Sequence, residues 1–177
     1  LLNHENLASY LCIGGSKRIF SDLDKENLPI LLSAAAKASH MLFTRINDET
    51  ELKKRLSGIG FISKENALAL GLTGPTLRAC GVFDDLRLSH PYFNYRLHIP
   101  KIIVETTGDA WARFSVRTQE IAASFILLEK ICPELFNEEL TTSFDLSKIP
   151  QGTQTAYTES PEGEMAITVV SDEESCP

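Results

Sequence analysis

The sequence predicts a mainly α-helical fold, a helical core with a small β element near the C-terminal end. Three observations predict it. From Asn27 to Phe43, the residues Leu28, Leu31, Leu32, Ala35, Ala38, Ser39 and Leu42 recur at three- and four-residue spacing, the period of an amphipathic helix. From about Asp109 to Cys132 a second long stretch contains no glycine or proline, and Pro133 marks its expected end. Ala166-Ile167-Thr168-Val169-Val170, in contrast, is β-branched enough for a strand.

The elements follow in order. In the first helix Pro29 is expected in the first turn, where its missing N–H costs nothing. Glu49 to Leu56 is a second, charged helical segment that Ser57-Gly58 ends. Ser63 can cap a short helix from Lys64 to Leu70, Glu65 suits its positive end, and Gly71 fits the left-handed position that stops it. Thr73-Gly74-Pro75 predicts a turn, with Thr73 placed to cap a short helical stretch from Thr76 to Cys80. The long helix from Asp109 spans roughly 35 Å at its usual rise. Tyr157 to Asp172 reads as a loop, with a turn at Ser160-Pro161-Glu162-Gly163, followed by the strand.

Composition narrows the function classes. The 177 residues suit one domain, and the chain reads as an internal piece of a longer protein. With a net charge of -7 and one small basic cluster, Lys53-Lys54-Arg55, nucleic acid is not an expected partner. The longest apolar run, Ile121 to Leu128 with Ser124 inside it, falls short of the ~20 residues a spanning helix needs. Cys12, Cys80, Cys132 and Cys176 form no Cys-x-x-Cys pair, and His4, His40, His90 and His98 form no metal-binding pair, so no metal is assigned. Gly14-Gly15-Ser16-Lys17 lacks the spacing of a phosphate loop, and no dinucleotide glycine fingerprint occurs, so a dinucleotide is not expected to bind here.

Charged residues form the main constellation. Arg78, Asp84, Asp85 and Arg87 lie within a short stretch of loop, while Arg113, Arg117, Glu120 and Ser124 fall on one stripe of the long helix, among alanines and aromatics. Interior arginines must be paired. Arg78, Asp85 and Arg87 are therefore expected to face Asp109, Arg113, Arg117 and Glu120 in one structural charge network. The network either holds the scaffold in shape or carries charge coupling between the two blocks.

The order of these blocks resembles one family. Gly71-Leu72-Thr73-Gly74-Pro75, Leu77-Arg78, Gly81-Val82, Asp85-Leu86-Arg87 and Pro91-Tyr92 resemble the core signature of the large subunit shared by respiratory complex I and membrane-bound nickel-iron hydrogenases. The resemblance runs on through Tyr95, Gly108, Asp109, Arg113, Arg117, Glu120 and Ser124, then through Thr158 to Glu164 and Val169-Val170-Ser171-Asp172. It covers Arg55 to Asp172, with the first fifty residues aligned loosely around Gly14-Gly15. Several ordered blocks at matching spacing are more specific than any lone motif. The favoured branch is the complex I one, in which the large subunit belongs to an NADH:quinone oxidoreductase.

That resemblance implies a core subunit that forms the quinone-reduction site together with an iron-sulfur subunit. Electrons pass from NADH, oxidised on another subunit, to quinone, and the energy drives proton translocation. It implies a peripheral place on the cytoplasmic side of the inner (plasma) membrane, with the membrane arm and other complex I subunits as partners. This segment would bind no cofactor: quinone is the substrate and the iron-sulfur cluster belongs to the partner subunit. No catalytic residue is assigned, because the family's quinone-contacting histidine and tyrosine lie upstream. Glu159, Pro161, Glu162 and Gly163 are the residues the resemblance puts near that site. Hydrogenases carry arginine and complex I commonly lysine where this chain has Glu162. The alternatives are the large subunit of a membrane-bound nickel-iron hydrogenase and a non-catalytic scaffold relative.

Overall fold

The computed structural model describes residues 11–12, 14–16, 21–135 and 150–172. His4, Lys17 and Cys176 lie outside the described residues. Two short strands, β1 (Leu11–Cys12) and β2 (Gly15–Ser16), pair antiparallel near the start, where no β-branched or alternating run predicts a strand. Helix α1 (Asp22–Asp48) follows, then α2 (Thr50–Leu56), α3 (Lys64–Ala69), α4 (Gly74–Arg78), α5 (Leu86–Ser89) and a 3₁₀ turn at Phe93–Arg96. Helix α6 (Ala110–Leu135) and a hairpin of β3 (Gly152–Ser160) and β4 (Gly163–Ser171) are the last elements among the described residues. The expected class, mainly helical with a small β element near the C-terminal end, is the one observed.

Helix α1 begins before Asn27 because a capping box nucleates it. Ser21 Oγ accepts the Asp24 amide at 3.2 Å, and the Asp24 carboxylate accepts the Ser21 amide at 3.0 Å. Pro29 consequently stands inside the helix and not in its first turn. Its missing donor falls on an exposed position, which limits the cost. Leu28, Leu32, Ala36, Ser39, Phe43 and Ile46 are the half-buried stripe of α1, which packs along α6.

Helix α6 also exceeds its expected limit, running past Pro133 to Leu135. Proline removes one amide from the last turn only, and His98 Nε2 lies 2.9 Å from Glu134 Oε1, holding that turn to the segment before the helix. Asp109 caps the other end by accepting the Ala112 amide at 2.8 Å. The core is small. Ala79, Ile103, Ala112 and Val116 form one buried cluster, and Ala67, Leu77 and Cys80 form another, backed by Ile62, Leu72 and Val82.

The hairpin corrects the reading of Tyr157 to Ser160 as loop. These residues close β3, paired with β4 from Gly152 opposite Ser171 to Ser160 opposite Gly163, which leaves Pro161-Glu162 as the turn. Most of β3 is exposed, so it carries little apolar alternation to betray it; cross-strand pairs such as Thr155 with Thr168, 2.9 Å apart, support it instead.

Candidate functional site

The site forms where the hairpin tip meets α4. Gly74 opens α4 with φ at 62°, and a Cβ there would strike the backbone of Gly163. Thr73 does not cap the helix it precedes. Its Oγ1 accepts the Glu164 amide at 3.0 Å, so the hydroxyl is spent on anchoring the hairpin. Two glycines and one threonine thus bring strand backbone against helix backbone.

Arg78, in the last turn of α4, is the centre of the arrangement and is 1% exposed. Its Nε donates to Glu120 Oε1 at 2.7 Å, and its Nη1 donates to Glu159 Oε1 and to the Asp84 carbonyl, both at 2.8 Å. Asp85 Oδ2 lies 3.3 Å from the same Nη1. Asp85 also accepts Arg87 Nε and Nη2 at 2.8 and 2.6 Å, a bidentate pair. Burial alone would lower the Arg78 pKa; the hydrogen bonds to Glu120 and Glu159 outweigh it, and the guanidinium stays charged. The Asp85 hydrogen bond raises the Arg87 pKa against its burial.

Tyr92 fixes Glu159 from the other side. Its hydroxyl accepts the Glu159 amide at 3.0 Å and lies 2.9 Å from Thr158 Oγ1. Glu159 Oε2 accepts the Leu86 amide at 3.3 Å. The carboxylate of Glu159 is therefore held at both oxygens and at its own backbone, in a side chain 5% exposed. Over this network opens a cavity of about 410 Å³, lined by Arg78, Arg87, Arg117, Glu120, Ile121, Ser124, Glu159, Ser160, Pro161 and Glu162.

Several expected members of the charge network stand outside it. Asp109 serves the backbone, accepting the Gly58 and Ala112 amides, each at 2.8 Å, and the Thr107 hydroxyl at 3.0 Å. Arg113 donates to the Gly108 and Gly60 carbonyls at 3.1 and 3.0 Å, tying the loop before α3 to the start of α6. Arg117 is exposed and, among the described residues, reaches only the Arg113 carbonyl, at 3.4 Å, so the helix stripe turns partly toward solvent. Asp84 contributes its carbonyl, not its carboxylate. Among the residues expected near the site, Glu159, Pro161 and Glu162 line the cavity, whereas Gly163 is buried against Thr73. From sequence Thr73 reads as a helix cap and Tyr92 as part of the family signature, and neither reads as an anchor of the hairpin. The Gly74-Pro75 step was the available signal for the first; nothing periodic marks the second.

Chemically, the cavity offers fixed carboxylates, guanidinium donors and an apolar wall at Ile121. Among the described residues no group of His, Cys, Asp or Glu side chains is arranged to hold a metal ion. Cys80 and Cys132 are buried free thiols, and burial pushes both pKa values up. Among the described residues no helix is long and apolar enough to cross a membrane.

A sequence model of one family, described as "Respiratory-chain NADH dehydrogenase, 49 Kd subunit", matches residues 6–145, well over half of the chain. The chain belongs to that family. Similar proteins include the D subunit of the F(420)H(2) dehydrogenase of Methanosarcina mazei, 31% identical over 171 residues, which cover 93% of this chain and 46% of the relative. The D subunit of an NADH-quinone oxidoreductase of Clostridium beijerinckii is 33% identical over 168 residues, 93% of this chain and 45% of the relative. Among solved structures, a chain of the membrane-bound sulfane sulfur reductase, described as an archaeal respiratory membrane complex, matches with a TM-score of 0.80 and 29% identity, covering 92% of this chain and 46% of that one. The chain thus spans less than half the length of these relatives.

Proposed function

We propose that this chain builds one wall of the acceptor-reducing cavity in a membrane-bound respiratory oxidoreductase, and that the acceptor is a quinone. A hydride donor is oxidised on another subunit, and two electrons arrive through an iron-sulfur cluster of a partner subunit. The quinone takes those two electrons and two protons to become quinol, and the energy released drives proton translocation in the membrane arm. NADH is the favoured donor. Because the relatives include both NADH- and F(420)H(2)-linked proteins, donor identity follows the input subunit and not this chain. This chain sits peripherally on the cytoplasmic face of the membrane.

The observation that carries the reading is the position of Glu159, buried, triply fixed and lining a cavity beside the Pro161-Glu162 turn. Such a carboxylate is held in one geometry before any ligand enters, which favours a site over a merely packed loop. The direct test compares the native complex with a Glu159→Gln complex. Inhibitor-sensitive donor:quinone turnover should fall by about tenfold or more, as when a preorganised charged group is lost, while electron transfer from the donor to ferricyanide is retained. Donor:quinone turnover that survives deletion of this chain would refute the proposal.

A further inference from the structure

We infer that Glu162 makes this cavity selective for an uncharged acceptor over an anionic one; the inference rests on the reading of the cavity as the acceptor site. The buried part of the network holds two guanidinium groups, Arg78 and Arg87, against three carboxylates, Asp85, Glu120 and Glu159. Its floor therefore carries one excess negative charge. Both guanidinium groups are already committed, Arg78 to Glu120 and Glu159 and Arg87 to Asp85.

The mouth adds one charge of each sign. Arg117 and Glu162 both line the cavity, both are exposed, and they form no ion pair with each other. The Glu162 side chain has no partner among the described residues, its amide alone bonding to Ser160 Oγ at 3.2 Å. Among the described residues, an entering anion thus meets one free cation, opposed by a free carboxylate at the rim and an acidic floor. In a partly desolvated cavity, with an effective dielectric of about 20, charges act several-fold more strongly than in water. A neutral quinone escapes that penalty, and the unused N–H groups of Arg117 can donate to a carbonyl oxygen. Reduction adds two electrons and two protons together, so the quinol leaves uncharged as well.

Glu162 is the residue on which the sign turns. Replacing its carboxylate by an ammonium changes the cavity from one net negative to one net positive charge. It does so at an exposed turn position whose side chain has no partner among the described residues.

The experiment uses the purified membrane complex with its native donor and two acceptors, a short-chain neutral ubiquinone and the anionic 1,4-naphthoquinone-2-sulfonate. The ratio of KM for the anion to KM for the neutral quinone is measured in wild type, Glu162→Gln and Glu162→Lys, with the donor:ferricyanide rate as a check on assembly. The expected result is a ratio that falls by about threefold in Glu162→Gln and about tenfold in Glu162→Lys, with both effects shrinking at high salt. A complex that reduces both quinones with the same ratio in all three forms overturns the inference and leaves the acceptor-site reading standing. A wild-type complex that reduces neither quinone overturns both. Should the lysine variant fail to assemble, the glutamine variant alone decides, since an unchanged ratio there overturns the inference.

Discussion

Arg78 and Glu159, 81 residues apart in the chain, meet at 2.8 Å in a buried ion pair. The pair joins a helix end to a hairpin tip, so a change at either partner is felt by both elements.

Arg78→Met should destabilise the protein by about 3 to 5 kcal/mol, because Asp85, Glu120 and Glu159 would stay buried without their shared cation. Arg78→Lys should recover only part of that loss, since an ammonium cannot reproduce the guanidinium's fixed fork. Chemical denaturation measures both; a midpoint for Arg78→Met equal to wild type contradicts the pairing.

Tyr92→Phe removes the acceptor of the Glu159 amide and the partner of Thr158. A cost of about 1 to 3 kcal/mol is expected for the stranded donor. Hydrogen exchange is the specific readout: the Glu159 amide should lose protection, and an amide as slow as in wild type would count against the anchor.

Gly74 and Gly71 both have positive φ, but only Gly74 has backbone where a Cβ would go; Gly71 has nothing within 4 Å. Gly74→Ala should therefore cost clearly more than the ~1 kcal/mol of conformational strain expected at Gly71, and should lower protection across the β3–β4 tip. Equal losses of Tm for the two variants would show that the tip does not press on α4.

Arg117→Met should change stability by no more than about 0.5 kcal/mol, as for other exposed positions. The helix stripe read from sequence as buried would require a far larger loss, so thermal denaturation separates the two views.

Asp109 makes a pH prediction. Burial pushes its carboxyl up, but the Gly58 and Ala112 amides and the Thr107 hydroxyl together hold it below the ordinary aspartate value. Its stabilising contribution is therefore fully present above the unfolded pKa of about 4 and is lost as pH falls through the lower folded value. Asp109→Asn should flatten the loss of stability on acidification below about pH 4; an unchanged acid limb in urea unfolding would exclude this role.

How much of the fold and site was legible in the sequence depended on range. Local rules worked where the signal lies within a few residues: Ser63 accepts the Asn66 amide at 3.2 Å as a cap should, and Gly71 takes the left-handed conformation. The start of α1 was missed by one substitution in a capping motif, Asp24 standing where glutamate is usual. Periodicity placed Arg113, Arg117 and Glu120 on one stripe correctly, yet it could not say which way each side chain turns. Along a stripe some 10 Å long at the usual helical rise, Glu120 joins the network, Arg117 turns to solvent and Arg113 bonds the carbonyls of Gly108 and Gly60. The site is harder still, because Arg78, Tyr92 and Glu159 come from three separated segments whose meeting depends on the hairpin, and its first strand has too little apolar alternation to be seen.

The hairpin is held at its tip and is exposed along most of its length. Each nine-residue strand extends for about 30 Å. Mechanically this is a lever with its fulcrum at Thr73 and Gly74. Force applied at the Gly152–Ser171 end is delivered, through the two-stranded arm, to Glu159, a carboxylate that faces both the cavity and Arg78.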